Sequence, residues 1–549
     1  MPSSLTKANH QSRRRVLIVG LDGGTFHVIR PLIAQGRLPN LAALIEEGAW
    51  GELTSTMPSI TPVAWTSFAT GKNPGRHGLF DFQTIDPQTY EPKTVRGYRH
   101  GQKTLWKLLT EAGLSSIVLD VPFTHPPEPI KGLMVSGYGT PRTPGTVFTH
   151  PPELAAELKA RYGDFGVALP GVRFDRSEEF FAEWDAIIAS RERVAVDLIS
   201  ERDWDLFMVV MSVTDNLAHA LWTYYDPAHR NYYDKDGPRF RQVFEGCYEA
   251  CDRLLGRLVE QAPEADLIVM SDHGFGTGRP RQYLVNALAR GGFVQYKGTG
   301  GGRLVRWAAS LYLRLPWLRG LVKNLRPERR KQLKRELKDR HLMPGLGNID
   351  PIHSQVIPAN PGLQMYINRS DRFSAGLVGP DEVEKVCQRV TGYLLSLRDK
   401  VSGGPVIRSV YRADEVYTGP KVGNAPDLVI EYTNMYDSQA SEPRLNPSLE
   451  GRHEQQGILL ARGPHIERSQ VEGARIEDLA PTVLHLLGQP VPEDMDGRVL
   501  IEALEPGLLA KNPVKPGPPA VESHTAEGDY SSEELAEVEE QLRSLGYIE

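Results

Sequence analysis

Short, almost wholly apolar runs recur along this chain: Val16–Leu21 (VLIVGL), Ser116–Val121 (SIVLDV), Leu206–Val213 (LFMVVMSV), Asp266–Met270 (DLIVM), Asp427–Ile430 (DLVI) and Gly457–Ala461 (GILLA). A strand with one wet face alternates apolar and polar residues; runs apolar at nearly every position suit strands covered on both faces. The stretches between them are long enough for helices, of which Leu38–Glu47 and Thr104–Ala112 are examples. The pattern therefore predicts an α/β fold with a mostly parallel sheet and helices on both faces. In such sheets ligands bind at the carboxyl ends of the strands.

Two segments depart from this rhythm and divide the chain into an α/β core (14–278 and 350–500) and additions. Arg303–His341 carries thirteen Lys and Arg against three Asp and Glu, interleaved with Trp307, Tyr312 and Trp317. It reads as a basic helical insertion within 279–349, a lid that could meet anionic lipid or guide an anionic substrate, or simply present a solvated face. Glu505–Tyr530, rich in Pro, Gly and Ala, reads as a linker (505–530) to a short acidic helix, Ser531–Leu545, within 531–549.

Charged residues at 24% and hydrophobic residues at 40% are those of a globular protein. The net charge of -6 counts against non-specific nucleic-acid binding, without excluding a nucleotide substrate. Arg13–Arg15 precede an apolar run too short for a signal peptide, and no run has the length of a spanning helix, so the expectation is a cytoplasmic protein. The three cysteines form neither a disulfide framework nor a metal knuckle; Cys247 and Cys251, one helical turn apart, suit core packing.

The chemistry is suggested by where acidic and imidazole groups fall. Asp22 follows the first strand in LDGG, Asp215 and His219 follow the third in DNLAH, and Asp272 and His273 end the next in SDHG. His453 is expected in a loop before GILLA. Each alone has an ordinary reading: SDHG as a turn with an N-cap Asp, Asp215 and His219 as a surface i,i+4 pair. Asp120 also ends an apolar run and shows that position alone proves little. Jointly, six oxygen and imidazole donors at one edge exceed the needs of one ion and suggest two divalent cations, zinc first, manganese or iron as alternatives. Paired cations suit in-line displacement at phosphorus, which needs a nucleophile. Thr61 stands out because Pro62 follows it, making Thr61 the expected N-cap of a helix, where N–H groups would also welcome a phosphate.

Taken in order, Asp22, Thr61, Asp215-x-x-x-His219, Asp272-His273 and His453 resemble the alkaline phosphatase superfamily, nearest its type I phosphodiesterase/nucleotide pyrophosphatase branch. Matching text includes LDGG, NPGRHG (Asn73–Gly78), SDHG and Ala474–Gly497, and the resemblance spans about residues 14–500. It implies one metal held by Asp22, Asp272, His273 and the Thr61 oxygen, and a second by Asp215, His219 and His453. It further implies that Thr61 forms a covalent phosphothreonine which water then hydrolyses, with a small phosphate ester or nucleotide as substrate and a diester or pyrophosphate favoured. One position departs: the family's Asn three residues after the nucleophile is Ala64 here, which leaves substrate class open. No C/S-x-P-x-R motif surrounds Thr61, which disfavours a sulfatase, and phosphoglycerate mutases of the superfamily use Ser. A phosphotransferase or mutase, a phosphomonoesterase and a non-catalytic binding protein are the alternatives. His77 and His485 are expected to be structural rather than extra ligands, and Trp65 and Tyr138 core residues rather than pocket walls.

Overall fold

The computed structural model describes residues 14–95, 101–141, 143–163, 177–278, 282–297, 349–359, 363–399, 403–433, 450–521, 530–544 and 547–548. The basic segment Arg303–His341 lies outside the described residues. Among the described residues no helix is long and apolar enough to cross a membrane.

In chain order the strands that position the site begin with β1 (Val16–Leu21), β2 (Ala49–Thr54), β3 (Ser116–Val121), β4 (Gly132–Ser136) and β5 (Thr149–His150). They continue with β6 (Leu206–Met211), β7 (Asp266–Met270) and β8 (Gly274–Gly278). A second group follows: β9 (Val356–Pro358), β10 (Gln364–Ile367), β11 (Ile407–Arg412) and β12 (Leu428–Tyr432). The last are β13 (Glu450–Glu454), β14 (Gln456–Arg462) and β15 (Ala474–Arg475). The helices that matter are α1 (Thr61–Thr70), α2 (Val213–Tyr225), α3 (Gly237–Gln261), α4 (Leu479–Leu486) and α5 (Ser532–Ser544).

Nine strands form one sheet in the order β15-β2-β14-β7-β1-β6-β3-β4-β5. Strands β7, β1, β6, β3 and β4 run parallel; β14 is antiparallel to both of its neighbours, and β5 to β4. The expected α/β fold with a mostly parallel sheet is what the chain adopts. Strands β1, β3 and β6 are buried at every position, and their alternate residues feed two different cores. Leu17, Val19 and Leu21 pack with α2 and α3 residues such as Leu217, Phe244 and Leu254. Val16 and Ile18 pack on the opposite face with Trp65 and Phe68 of α1 and Val483 of α4. Burial of each such side chain stabilises the fold by roughly 1.5–3 kcal/mol, which is why these runs show no alternation. Cys247 and Cys251 lie in α3 with free, buried thiols.

The structure corrects three expectations about segments. The DLVI run belongs to β12 in a separate four-stranded antiparallel sheet, ordered β9-β10-β12-β11, with its own core of residues such as Met365, Ile367, Val390 and Leu428. Burial on both faces occurs in either sheet, so the apolar run could not say which one it joins. His453 lies in strand β13, opposite Phe275 of β8, not in a loop. The stretch read as a linker is partly built into the core: Pro506–Lys511 is helical, Leu508 is buried, and Pro516–Gly517 pairs with Val491–Pro492. Its prolines and glycines shape turns there.

Candidate active site

Five of the expected residues sit at the carboxyl edge of the large sheet because the chain must leave the sheet there. Asp22 is the first residue after β1, and Asp272 and His273 follow β7 by one residue. The turn after Asp22 needs glycine: Gly23 has a φ of 63°, and a Cβ there would stand 2.9 Å from Asp215 Oδ1. With no side chain in the way, the Gly23 N–H donates to Asp272 Oδ1 at 3.1 Å. Asp215 and His219 lie one turn apart on α2, whose Thr214 hydroxyl donates to the Asp22 carbonyl at 2.6 Å and ties helix to loop.

Thr61 opens α1, but Ile60, not Thr61, is the N-cap. The Thr61 hydroxyl oxygen instead lies 3.3 Å from His273 Nε2, inside the cluster. The helix is fixed from its far end. Lys72, fully buried, reaches Asp494 at 2.5 Å; the Asn73 N–H donates to Asp496 at 2.8 Å, and Arg76 Nε to the same carboxylate at 2.9 Å. The NPGRHG and Ala474–Gly497 segments thus brace one another. Ala64 is fully buried in the hydrophobic cluster under α1 and offers no polar group.

The donors converge in two halves. In the deeper half the donor atoms of Asp22, Asp272 and His273 lie within 4.8 Å of one another. His273 Nε2 is 3.3 Å from Asp272 Oδ2 and 3.8 Å from Asp22 Oδ1. In the outer half Asp215 Oδ1 is 3.3 Å from His453 Nε2 and 3.5 Å from His219 Nε2, and these two nitrogens are 2.8 Å apart. The His273 and His453 rings stack between the halves, centroids 3.7 Å apart.

The chemistry of this set fits divalent cations. Asp22 Oδ1, Asp215 Oδ1 and Asp272 Oδ2 are buried and accept no hydrogen bond among the described residues, although each faces the imidazoles. Buried carboxylate oxygens without donors are costly unless a cation meets them. His273 Nδ1 lies 3.0 Å from the Gly274 carbonyl, and His453 Nδ1 2.9 Å from the Ser59 carbonyl. A carbonyl only accepts, so in the neutral rings the proton sits on Nδ1 and both Nε2 lone pairs point into the cluster.

The electrostatics separate the halves. Burial pushes the Asp22 carboxyl well above the ordinary carboxylate range, and the charges of Asp272 and Asp215 add to this. Burial and Asp215 do the same to Asp272. Asp215 moves the other way: burial pushes upward, but His219 and His453 outweigh it and hold the group low. Burial, reinforced by His453, keeps His273 neutral.

The cluster opens into a cleft of about 420 Å³. Its walls include Ile60, Phe82 and His219 on the core side and Leu363 and Arg408 from the smaller sheet, with Arg452 from β13. Two residues at the site were not assigned there from the sequence. Trp65 donates its indole N–H to Asp22 Oδ2 at 3.3 Å from inside the core. Tyr547 donates its phenol to Asp215 Oδ2. His77, by contrast, is buried against Ser67 and the Leu79 N–H, and His485 lies in α4, both apart from the cluster.

The donor cluster thus meets a threonine hydroxyl at the carboxyl edge of a doubly covered α/β sheet. Residues 16–453 match the family model for type I phosphodiesterase / nucleotide pyrophosphatase, and the chain belongs to that family of hydrolytic enzymes.

Among solved structures the chain is similar to phosphonoacetate hydrolase from Sinorhizobium meliloti 1021, at 15% identity and a TM-score of 0.50, covering 86% of this chain and 96% of that one. That similarity bears on the fold. It is also similar to murine ectonucleotide pyrophosphatase / phosphodiesterase 5, at 14% identity and a TM-score of 0.43, covering 87% and 95%. Among curated proteins a 46-residue segment is 48% identical to a 2,3-bisphosphoglycerate-independent phosphoglycerate mutase of Cereibacter sphaeroides (strain ATCC 17025 / ATH 2.4.3). That match spans 8% of this chain and 9% of the mutase.

Proposed function

We propose that the chain hydrolyses small phosphate esters, diesters or pyrophosphates before monoesters, with Thr61 as nucleophile. The observation that carries this reading is the Thr61 hydroxyl oxygen set 3.3 Å from His273 Nε2, against a cluster of buried carboxylates and imidazoles. Asp22, Asp272 and His273, with the Thr61 oxygen, would hold one divalent cation, and Asp215, His219 and His453 a second. Zinc suits this oxygen and nitrogen set, with manganese or iron also compatible. When bound, such ions neutralise the phosphoryl oxygens and lower the pKa of the hydroxyl.

The chain's own residues then do the rest. The Thr61 hydroxyl gives its proton to solvent as its oxygen attacks phosphorus, the bond to the leaving oxygen breaks, and that oxygen departs on the far side, taking a proton from solvent. A water molecule next attacks the phosphothreonine and loses a proton to solvent, the bond between phosphorus and Thr61 breaks, and the Thr61 oxygen takes a proton back to restore the hydroxyl. The brace on α1 keeps the nucleophile in line, and Arg408 and Arg452 in the cleft wall suit a further anionic group on the substrate.

Thr61→Ala tests the assignment: turnover of a chromogenic diester should fall by at least about 10³-fold while two divalent ions per chain remain bound. Turnover within tenfold of the parent would refute it. The short match to a phosphoglycerate mutase favours one further reading, transfer of the phospho group from Thr61 to an alcohol acceptor. Product analysis with added alcohols separates the two: a phosphorylated alcohol formed in preference to free phosphate would replace hydrolysis as the main reaction.

A further inference from the structure

Helix α5 and the pair Tyr547–Ile548 lie far in sequence from every expected site residue, yet Tyr547 reaches the site. Helix α5 buries Val538 and Leu542 in a cluster with Ile60, Val63, Leu79 and Phe123, beside the start of α1. Beyond it Tyr547 and Ile548 are almost fully buried, at 2% and 4% exposure. The Tyr547 ring stacks on Phe82, centroids 4.7 Å apart, and meets His219 edge-on at 5.1 Å. Its hydroxyl donates to Asp215 Oδ2, while Asp215 Oδ1 has no hydrogen-bond donor and faces His219 and His453. The two oxygens of one carboxylate are thus separated by role.

We propose that Tyr547 is a positioning residue for the outer half of the site: by occupying Oδ2, its phenol turns Oδ1 toward the imidazoles so that Asp215 binds a divalent cation through one oxygen. The inference rests on the two-ion reading above. Carboxylates that hold metals are commonly fixed by such a partner, and removing it costs about 10–100-fold in metal affinity or activity. The aromatic cage around the ring supplies the rigidity the phenol needs, because a donor that could swing away would not select between the oxygens.

The test uses the full chain, with zinc affinity at each site measured by chelator competition in the parent and in Tyr547→Phe. The ring and its packing survive this change, so the metal-free protein should still fold, its melting temperature lowered by about a few degrees for the hydrogen bond lost from Oδ2. The expected result is that one of two ions binds about 10–100-fold more weakly, the other is unchanged, and kcat for a diester falls at saturating substrate with KM nearly constant. Tyr547→Ala, which also removes the packing, reports the structural contribution through its melting temperature. Equal affinity for both ions in Tyr547→Phe and the parent would overturn the proposal. Tighter binding in Tyr547→Phe would also overturn it, because the phenol would then be competing for the ion's place. A parent that binds fewer than two ions would instead refute the two-ion reading itself.

Discussion

The two halves of the donor cluster are made of similar residues but are held very differently. Asp22, Asp272 and His273 hang from the ends of adjacent central strands, and none of their side chains is more than 3% exposed. Asp215, His219 and His453 come from a helix and from the outlying strand β13, and the two imidazoles are 16% and 11% exposed to the cleft. Without a cation the deep half is a like-charge problem: burial pushes both Asp22 and Asp272 up, the charges of Asp272 and Asp215 push Asp22 further, and Asp215 does the same to Asp272. The outer half is already balanced, since two imidazoles hold Asp215 low. The deep half is therefore expected to depend on its ion for electrostatic balance, and the outer half to be the one that exchanges ion and meets substrate.

The largest effect should come from Asp272→Asn. Losing one carboxylate from the deep half should lower kcat/KM by at least about 10³-fold, on the several kcal/mol that a metal supplies to phosphoryl transfer. Metal analysis should show one ion lost rather than two. His219→Gln should be milder, weakening one ion by about 10–100-fold in chelator competition. If both substitutions removed the same ion, the division into halves would be wrong. During dialysis of the parent against chelator, ion content should fall in two phases, the faster one matching the ion weakened by His219→Gln. Trp65→Phe removes the N–H to Asp22 together with part of a fully buried ring. It should weaken the deep ion by about tenfold, the lower end of what such outer contacts contribute, and should lower the melting temperature through the cavity it leaves.

The smallest effect is on the stability of the metal-free protein, and its sign differs between the halves. Asp22 and Asp272 have folded-state pKa values raised above the unfolded value. Their contribution is fully present below the ordinary carboxylate pKa of 3.8 and is lost as pH rises through the raised value. Asp215 is held low, so its contribution is present above 3.8 and lost as pH falls through the depressed value. At neutral pH, Asp272→Asn should raise the melting temperature of the metal-free protein by about a few degrees and Asp215→Asn should lower it. The same sign for both would remove the electrostatic half of the contrast.

Much of this arrangement was legible because the polar residues that matter interrupt or end apolar runs. Asp22, Asp272 and His273 stand where a fully buried strand must stop, and the i,i+4 spacing of Asp215 and His219 is a helix signal. His453 was counted among the six donors, but its place was expected to be a loop. Its strand pairs GFGTG with EGRHE, neither of which alternates apolar and polar residues. The smaller sheet escaped notice because only its DLVI run is as apolar as the strands of the large one, while β9 is three residues long and β11, IRSVYR, carries two arginines. Trp65 reads as core, and it is core; only the direction of its N–H gives it a role. Tyr547 sits 332 residues from its partner. The available hint was local, an aromatic and an isoleucine just beyond an acidic helix, in a place where a solvated tail would carry neither.

The brace on α1 has a consequence for how the protein becomes active. The Lys72–Asp494 contact joins residues 422 positions apart. Contacts this distant in sequence are made late, because the chain between them must be ordered before closure is rewarded. The strands that end at Asp22 and before Asp272 pair with each other within residues 16–273, whereas the far end of the helix that begins at Thr61 is secured only when residues 494–520 dock. A refolding chain should therefore regain its sheet, by far-ultraviolet circular dichroism, before it regains turnover. Mutations that weaken Lys72, Asp494 or Asp496 should lengthen that lag more than they lower the activity finally recovered.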